Sequence, residues 1–356
     1  MKFVHIADMH LDTSFTQLNN SHLGTLRRLE QRKILKKVID YIKNNNVKYL
    51  FIAGDLYEHK YIRESTIEYI NNLFKEINDT EIFIAPGNHD PYLKNSFYSK
   101  YNWNENVHIF GPNITKIEYD DINIYGYGFN DFYYTNSEIE KFELEDKNKV
   151  NILITHATLN GSNNIERQYN AISKSILEKI GFDYVALGHI HKNNYNEEKN
   201  IIYPGSTISM GFDELGAHGM IVGDISKNEL DLQFVPLDES EFKIINVDIT
   251  EMISSEELIE NINNLQIDEN DYYEIYLMGK RKFEIDKYDL KKMITNQRII
   301  KLKNLTKRDY DIQKIVDENT LKGLFVKEIL DRMENYDSDK ELLENALEIG
   351  LEILDK

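Results

Sequence analysis

Five short segments carry side chains able to do chemistry. They are "ADMH" with Asp8 and His10, "AGD" with Asp55, "PGNHD" with Asn88, His89 and Asp90, "THA" with His156, and "LGHIH" with His189 and His191. Together they offer carboxylate, amide and imidazole. Sulfur is missing, because the chain has no cysteine. Such a donor set suits Mn²⁺, Fe²⁺, Zn²⁺ or Mg²⁺ and excludes a soft-metal site. It is too large for one ion. Two ions about 4 Å apart accommodate it, with Asp55 bridging through one oxygen to each, and such a pair can clamp a phosphoryl group for in-line displacement. The stretch "IAPGNHDP" (84–91) makes the point locally. A turn uses its Gly and Pro, but has no need of Asn, His and Asp side by side.

These residues need rigid elements behind them. Each segment closes an apolar run that reads as a strand. The runs are 3–8, 48–55, 81–87, 107–111, 122–129, 150–157, 182–191, 201–206, 219–225 and 230–237. Helical periodicity falls at 22–45, 61–77 and 170–180. Strands alternating with helices predict a largely parallel sheet with covered faces. Close strand spacing after residue 200 adds an antiparallel portion, so a two-sheet α/β sandwich fits. Ligand sites of α/β folds lie at the carboxyl ends of strands, where all five segments sit. Strand side chains alternate, so Asp8 and His10 are expected to share a face, as are His189 and His191.

Near residue 240 the rhythm changes. A small α+β unit follows, with strands in "FKIINVDI", "YYEIYLMG" and "QRIIKLKNL" and helices at 254–265 and 286–295. Two helices then close the chain. Apolar stripes at Leu321, Leu324, Phe325, Ile329 and Met333, and at Leu343, Ala346, Leu347, Leu351 and Leu354, have helical spacing. The expected division is 1–240, 241–310 and 311–356. The net charge of −19 argues against polyanionic partners, though metal-binding carboxylates contribute to that sum. One segment reverses the sign: Lys291, Lys292, Arg298, Lys301, Lys303, Lys307 and Arg308 fall within 291–308 without an acid. "RRLEQRKILKK" at 27–37 is similar. The absence of cysteine, of a signal-like leader and of a run near 20 apolar residues predicts a soluble, cytoplasmic protein with no membrane partner.

The ordered set D-x-H, G-D, G-N-H-D, H and G-H-x-H resembles the calcineurin-like metallophosphoesterase superfamily over about residues 1–240. That resemblance implies an α/β/β/α sandwich and a dimetal phosphoester hydrolase. It implies a first ion on Asp8, His10, Asp55 and His191, and a second on Asp55, Asn88, His156 and His189. His89 then faces the scissile phosphate, and Asp90 holds the His89 ring. "FVHIADMHLD", "YPGS" (203–206) and the small α+β domain look like the SbcD-type DNA repair nucleases, in particular the YhaO-like branch. This narrower likeness implies Mn²⁺ as activator, exo- or endonuclease action on DNA, a capping domain that grips DNA, and terminal helices docking on an SbcC-like coiled-coil ATPase. It also admits a homodimer. Lys291, Lys292, Arg298, Lys301 and Lys303 fall where such a cap would meet phosphate. One departure stands out: the group often has His three residues after the bridging Asp, where this chain has Glu58, with His59 next.

Blander readings apply elsewhere. His5, His22, His108 and His218 read as packed or solvated residues, and Asp12 as a turn or cap residue. A phosphatase or cyclic-nucleotide phosphodiesterase would share the metal core. It has little use for a basic domain, and "GDLYEHKYIRE" lacks the acid and Arg pattern of phosphoprotein phosphatases. A non-catalytic scaffold for an ATPase would not need the complete ligand set.

Overall fold

Side-chain alternation along the strands dictates the layering of the first part of the chain. The computed structural model describes residues 1–18, 20–133, 138–160, 169–335 and 340–355. It divides into two compact units, Met1–Phe242 and Lys243–Lys356. In chain order the first unit contains β1 (Lys2–Ile6), α1 (Ser21–Asn45), β2 (Tyr49–Ile52), α2 (Glu64–Lys75), β3 (Glu81–Ile84), α3 (Phe97–Lys100) and β4 (Val107–Ile109). It continues with β5 (Thr115–Glu118), β6 (Ile122–Gly126), β7 (Val150–His156), the two-residue strands β8 (Thr158–Leu159) and β9 (Ala171–Ile172), and α4 (Lys174–Ile180). It ends with β10 (Tyr184–Gly188), β11 (Ile201–Ile202), β12 (Gly219–Ile225) and β13 (Leu230–Pro236).

One sheet has the order β13-β12-β1-β2-β3-β4 and the other β11-β10-β7-β6-β5. β1 to β4 run parallel, and β12 closes the first sheet antiparallel to β1. Phe3, Tyr49, Phe51 and Phe83 face inward against Ile124, Ile152, Ile154 and Tyr184 of the second sheet. The alternate residues Val4, Ile6, Leu50, Ile52, Ile82 and Ile84 face outward under Ile34, Val38, Ile67, Ile70 and Phe74 of α1 and α2. Tyr125, Leu153, Val185 and Leu187 do the same beneath Leu177 and Ile180 of α4. The period of two thus builds the expected α/β/β/α sandwich. Asn20 caps α1 through its side-chain oxygen, which accepts from the His22 and Leu23 amides, and Asn46 ends the helix in the left-handed region.

In the second unit, β14 (Phe242–Asp248), α5 (Ser255–Asn263), β15 (Tyr272–Met278), β16 (Lys280–Arg281), α6 (Lys287–Met293), β17 (Ile299–Asn304) and β18 (Lys307–Arg308) come first. α7 (Ile312–Val316), α8 (Leu321–Asn335) and α9 (Lys340–Leu354) follow. The sheet order is β14-β15-β17, over a core of Ile249, Leu258, Ile262, Ile275, Leu277 and Leu290. The terminal helices pack around Ile315, Val326 and Leu351. The stripe expected on α8 is only partly buried. The packed face is Gly323, Val326 and Ile329, while Leu321 and Leu324 are 71% and 66% exposed. Gly323 explains the rotation: a Cβ there would lie 2.1 Å from the Glu318 carbonyl oxygen, so the helix turns its smallest residue to that contact.

Candidate metal centre

Parallel pairing of β1, β2 and β3 delivers their three following loops to one edge, and β7 and β10 do so from the second sheet. The strands stop earlier than their apolar runs suggest, at Ile6, Ile52, Ile84 and Gly188. Asp8, His10, Asp55 and His189 therefore do not owe their placement to strand alternation. They lie beyond the strands with φ of 51°, 48°, 53° and 99°. L residues avoid this left-handed region, and each such residue costs on the order of 1–3 kcal/mol. Backbone bonds hold them: the Asp8 amide donates to the Gly54 carbonyl at 3.1 Å and the His10 amide to the Asp55 carbonyl at 2.9 Å.

The "PGNHD" loop packs directly on Asp55. A Cβ at Gly87 would sit 2.3 Å from Asp55 Oδ1, so only glycine permits this approach. Asp90, fully buried, accepts from four donors: the amides of Gly87 (2.7 Å), Asp55 (3.1 Å) and Leu56 (2.7 Å), and the Tyr98 hydroxyl (2.7 Å). The expectation that Asp90 holds the His89 ring is corrected here. Its oxygens are taken up by three amides and a tyrosine, and it clasps the Asp55 and Asn88 loops together. The His89 ring instead meets Glu58, whose Oε2 lies 3.1 Å from Nδ1.

The remaining side chains converge. His10 Nε2 is 3.2 Å from His191 Nε2 and 3.7 Å from Asp55 Oδ2, and His191 Nε2 is 3.9 Å from Asp8 Oδ1. On the other side His156 Nε2 is 3.3 Å from Asp55 Oδ2 and 3.0 Å from Asn88 Oδ1. Metal–ligand bonds near 2.1 Å give neighbouring donors a spacing of about 3.0 Å in an octahedron and about 3.4 Å in a tetrahedron. The separations of 3.0, 3.2 and 3.3 Å are those of ligands around a cation, and those of 3.7 and 3.9 Å are wider. The tautomers agree. His10 Nδ1 is bonded to Glu58 Oε1 at 2.8 Å, His191 Nδ1 to Glu214 Oε1 at 2.5 Å, and His156 Nδ1 to the Ala53 carbonyl at 2.9 Å. With Nδ1 engaged in each ring, Nε2 is the nitrogen that faces the centre, where a metal ion would replace its proton. The expected bridge differs in one detail. Asp55 Oδ1 accepts the His89 amide at 2.8 Å, so Oδ2 alone faces both groups.

Asp8, His10 and His191 form one cluster of potential ligands, Asp8, Asp55 and His156 a second, and His10, Glu58 and His89 a third. His189 belongs to none of the three. Its ring stands edge-on to His156 at 5.1 Å, and its amide donates to both Asp8 oxygens.

Electrostatics show a centre that demands positive charge. Burial opposes ionisation of Asp55, but the charges of His156 and His10 outweigh it and hold the carboxyl far below its usual range. Burial works against a proton on His156 and His191, yet Asp55 lifts the first, and Glu214 with Asp8 the second, to about 9. Burial, reinforced by the His156 charge, takes His189 down to about 3, which keeps its ring neutral.

Glu58 and Glu214 were not identified as site residues from sequence. Glu58 offered one signal, its place three residues after Asp55. Glu214 lies 23 residues after His191 in "FDELG" and offered none. The blander assignments read differently in detail. His5 is buried with Nδ1 2.9 Å from the Tyr184 hydroxyl, His218 pairs with Ser206, and His108 with Glu81. Asp12 ties α1 to α2 through Arg32 and Thr66. The basic stretch is largely paired. Lys291 donates to the Ile300 carbonyl, Lys292 lies over Tyr288 near Asp289, and Arg298 lies over Tyr272. Lys303 meets Glu274 and Tyr276, Lys307 meets Glu348, and Arg308 meets Glu284 and Asp355. In the other basic segment, Arg27 pairs with Asp238, Arg32 with Asp12, and Lys36 with Asp40.

Among the described residues, no helix is long and apolar enough to cross a membrane. The profile of the calcineurin-like phosphoesterase family matches residues 1–193. The chain is 30% identical over 302 residues to the SbcD subunit of the SbcCD nuclease of Staphylococcus epidermidis, covering 74% of this chain and 77% of that protein. It is 25% identical over 263 residues to the metallophosphoesterase YhaO of Bacillus subtilis, covering 70% of this chain and 64% of that protein, under two thirds of its length. The crystal structure of TT1561 of Thermus thermophilus aligns with a TM-score of 0.40 at 10% identity, over 65% of this chain and 98% of that one. With a family match over more than half its length, the chain belongs to the calcineurin-like phosphoesterases, which are metal-dependent phosphoester hydrolases with a dimetal centre.

Proposed function

We propose that the protein is a dimetal phosphodiesterase acting on DNA, a nuclease with a role in DNA repair. The observation that carries the catalytic part is the convergence of His10, His191 and His156 Nε2 on Asp8, Asp55 and Asn88 beside a half-exposed His89. One ion belongs with Asp8, His10, Asp55 and His191, and the other with Asp55, Asn88, His156 and His189. When bound, two divalent ions, with Mn²⁺ favoured, supply Lewis-acid charge and activation of water at a phosphoryl group. The chain's own residues do the rest. Asp55 Oδ2 is shared between the two ligand groups, and Asp90 fixes the Asp55 backbone. His89 stands at the rim with its side chain 45% exposed, where it donates a proton to the leaving oxygen. Burial works against a proton on this ring, and the hydrogen bond to Glu58 with the charge of Asp55 favours one.

DNA as substrate is supported by the nuclease named among the relatives. The cations of 291–308 support it in a limited way. Lys291, Lys292, Arg298, Lys301 and Lys303 are proposed as phosphate contacts; the exposed Lys292–Asp289 pair, worth about 0–1 kcal/mol, exchanges readily for phosphate. An SbcC-like ATPase partner is the proposed reader of the terminal helices, where Leu321, Leu324, Leu342, Ile349 and Ile353 expose apolar surface. A homodimer and a cytoplasmic location complete the proposal. The test compares Mn²⁺-dependent release of nucleotides from linear DNA with turnover of p-nitrophenyl phosphate. Preference for DNA, lost in His89→Gln with metal retained, is expected. Turnover of the monoester alone would favour the phosphatase reading.

A further inference from the structure

His189 and His191 border more than the metal centre. With Ile190 between them they also wall a cavity of about 790 Å³, which lies wholly within the first unit. That volume falls in the range of about 300–1,000 Å³ usual for small-molecule sites. The loop after His191 is fastened on two sides. The Asn194 side chain accepts from the Tyr203 amide at 2.8 Å and donates to the Ile201 carbonyl at 3.0 Å, and the Tyr195 hydroxyl donates to the Leu232 carbonyl of β13 at 2.8 Å. These bonds spend the polar ends of Asn194 and Tyr195. They leave the Tyr195 ring, half-buried Phe234 and Leu215, 52% exposed, as apolar lining. The side-chain amides of Asn193 and Asn196 line the same space without a hydrogen-bond partner among the described residues. Ring surface beside unspent amide donors and acceptors suits a nucleobase. The charges on the wall are the carboxylates of Glu197, Asp213 and Glu214 against the one ammonium of Lys192. Such a balance repels phosphate, so the occupant is a neutral group.

We propose that this cavity is a subsite for one nucleoside, the terminal one of a strand, which stays bonded to the phosphate held at the metal centre. The inference rests on the reading of that centre as a phosphodiesterase. His10 stands between the two sides of the site: its ring centroid is 4.7 Å from that of His89 and 5.1 Å from that of His191. The leaving group belongs beside His89. The group kept on phosphorus then goes to the His191 side, where the cavity lies. Tyr195 and Phe234 supply ring surface for the base, and Asn193 and Asn196 supply donors and acceptors for its edge. The carboxylates limit the subsite to a single nucleoside, because the next phosphate of a longer strand would meet them.

The manganese-loaded protein is titrated by calorimetry with inorganic phosphate, thymidine 5′-monophosphate and thymidine 3′-monophosphate. Phosphate alone reaches only the ions, so the ratio of nucleotide to phosphate affinity isolates the nucleoside. A stacked base is worth about 10-fold or more, and a ratio of that size is expected for one of the two nucleotides. The ratio should fall toward parity in Leu215→Trp, which fills the cavity from an exposed position. Location is read separately on the wild-type protein. The 5′- and 3′-monophosphates of 4-thiothymidine, irradiated with the manganese-loaded protein, should crosslink within 190–197, within 213–218 or at Phe234. If phosphate itself does not bind, the reading of the centre falls and the subsite falls with it. If phosphate binds and neither nucleotide exceeds it, or the crosslink maps elsewhere, the subsite alone falls. A Leu215→Trp protein that keeps the wild-type ratio also overturns the subsite. Should that variant lose manganese, the crosslink position decides.

Discussion

Replacing Asp90 by Asn removes one oxygen and little else. Asp90 is fully buried, and its two oxygens serve four donors: Gly87 and Asp55 amides on Oδ1, Leu56 amide and Tyr98 hydroxyl on Oδ2. An asparagine keeps one oxygen. Its NH₂ is tolerated better at the Oδ2 position, because the Tyr98 hydroxyl can rotate and accept from it. The Leu56 amide is then orphaned, at about 1–3 kcal/mol, and two remaining bonds lose their charge assistance, at about 1 kcal/mol each. The opposing effect is of similar size. Burial, with the negative charge of Asp55, lifts the Asp90 carboxyl to about 6, and removing that charge returns on the order of 3 kcal/mol. Net stability should therefore change by no more than about 2 kcal/mol. Metal binding should not escape, since the orphaned amide adjoins Asp55. We expect Mn²⁺ affinity to fall about 10–100-fold, read by calorimetric titration alongside urea unfolding. Unchanged affinity in a folded Asp90→Asn protein would refute the clasp.

Other consequences are equally direct. Gly87→Ala places a methyl group 2.3 Å from Asp55 Oδ1, so metal analysis should find fewer than two ions per chain in a protein whose circular dichroism is that of wild type. Arg27→Met strands Asp238, which Arg27 meets at 2.5 Å in the interior. Urea unfolding should show a loss of about 3–5 kcal/mol, partly recovered by adding Asp238→Leu. His5, buried at the inter-sheet contact with Tyr184, has its pKa lowered by desolvation from 6.5 to about 3. The folded value lies below the unfolded one, so its contribution is complete above pH 6.5 and drains away as pH falls toward 3. Between pH 7 and 5 that amounts to about 2 kcal/mol, and His5→Gln should show a shallower decline in its urea midpoints over that range.

The strands were legible because their period of two is written in runs such as Phe3-Val4-His5-Ile6, where both faces are covered and register is unforgiving. The ligand types were legible because Asp, Asn and His interrupt those runs at places a turn would not require. The backbone at those interruptions was not. Nothing in "ADMH" announces that Asp8 and His10 both take positive φ, since the conformation is imposed by the neighbouring loop through the Gly54 and Asp55 carbonyls. The role of Asp90 was hidden for a similar reason: three of its four partners are main-chain amides, which carry no residue signature. Glu214 meets His191 only through the fold. The cations of 291–308 looked unopposed along the chain, yet Glu274, Glu284, Glu348 and Asp355 reach them from other elements. Edge strand β5 was missed because "TKIE" has no apolar run to mark it.

The central claim is that Asp55 sits between two ions. Anomalous scattering at the manganese edge, from crystals of the protein grown with Mn²⁺, tests it without reference to any substrate. The expected result is two peaks about 3.5–4 Å apart, one on each side of Asp55 Oδ2, with His10 and His191 at one and His156 and Asn88 at the other. A single peak, or peaks that leave Asp55 outside their ligand shells, would contradict it.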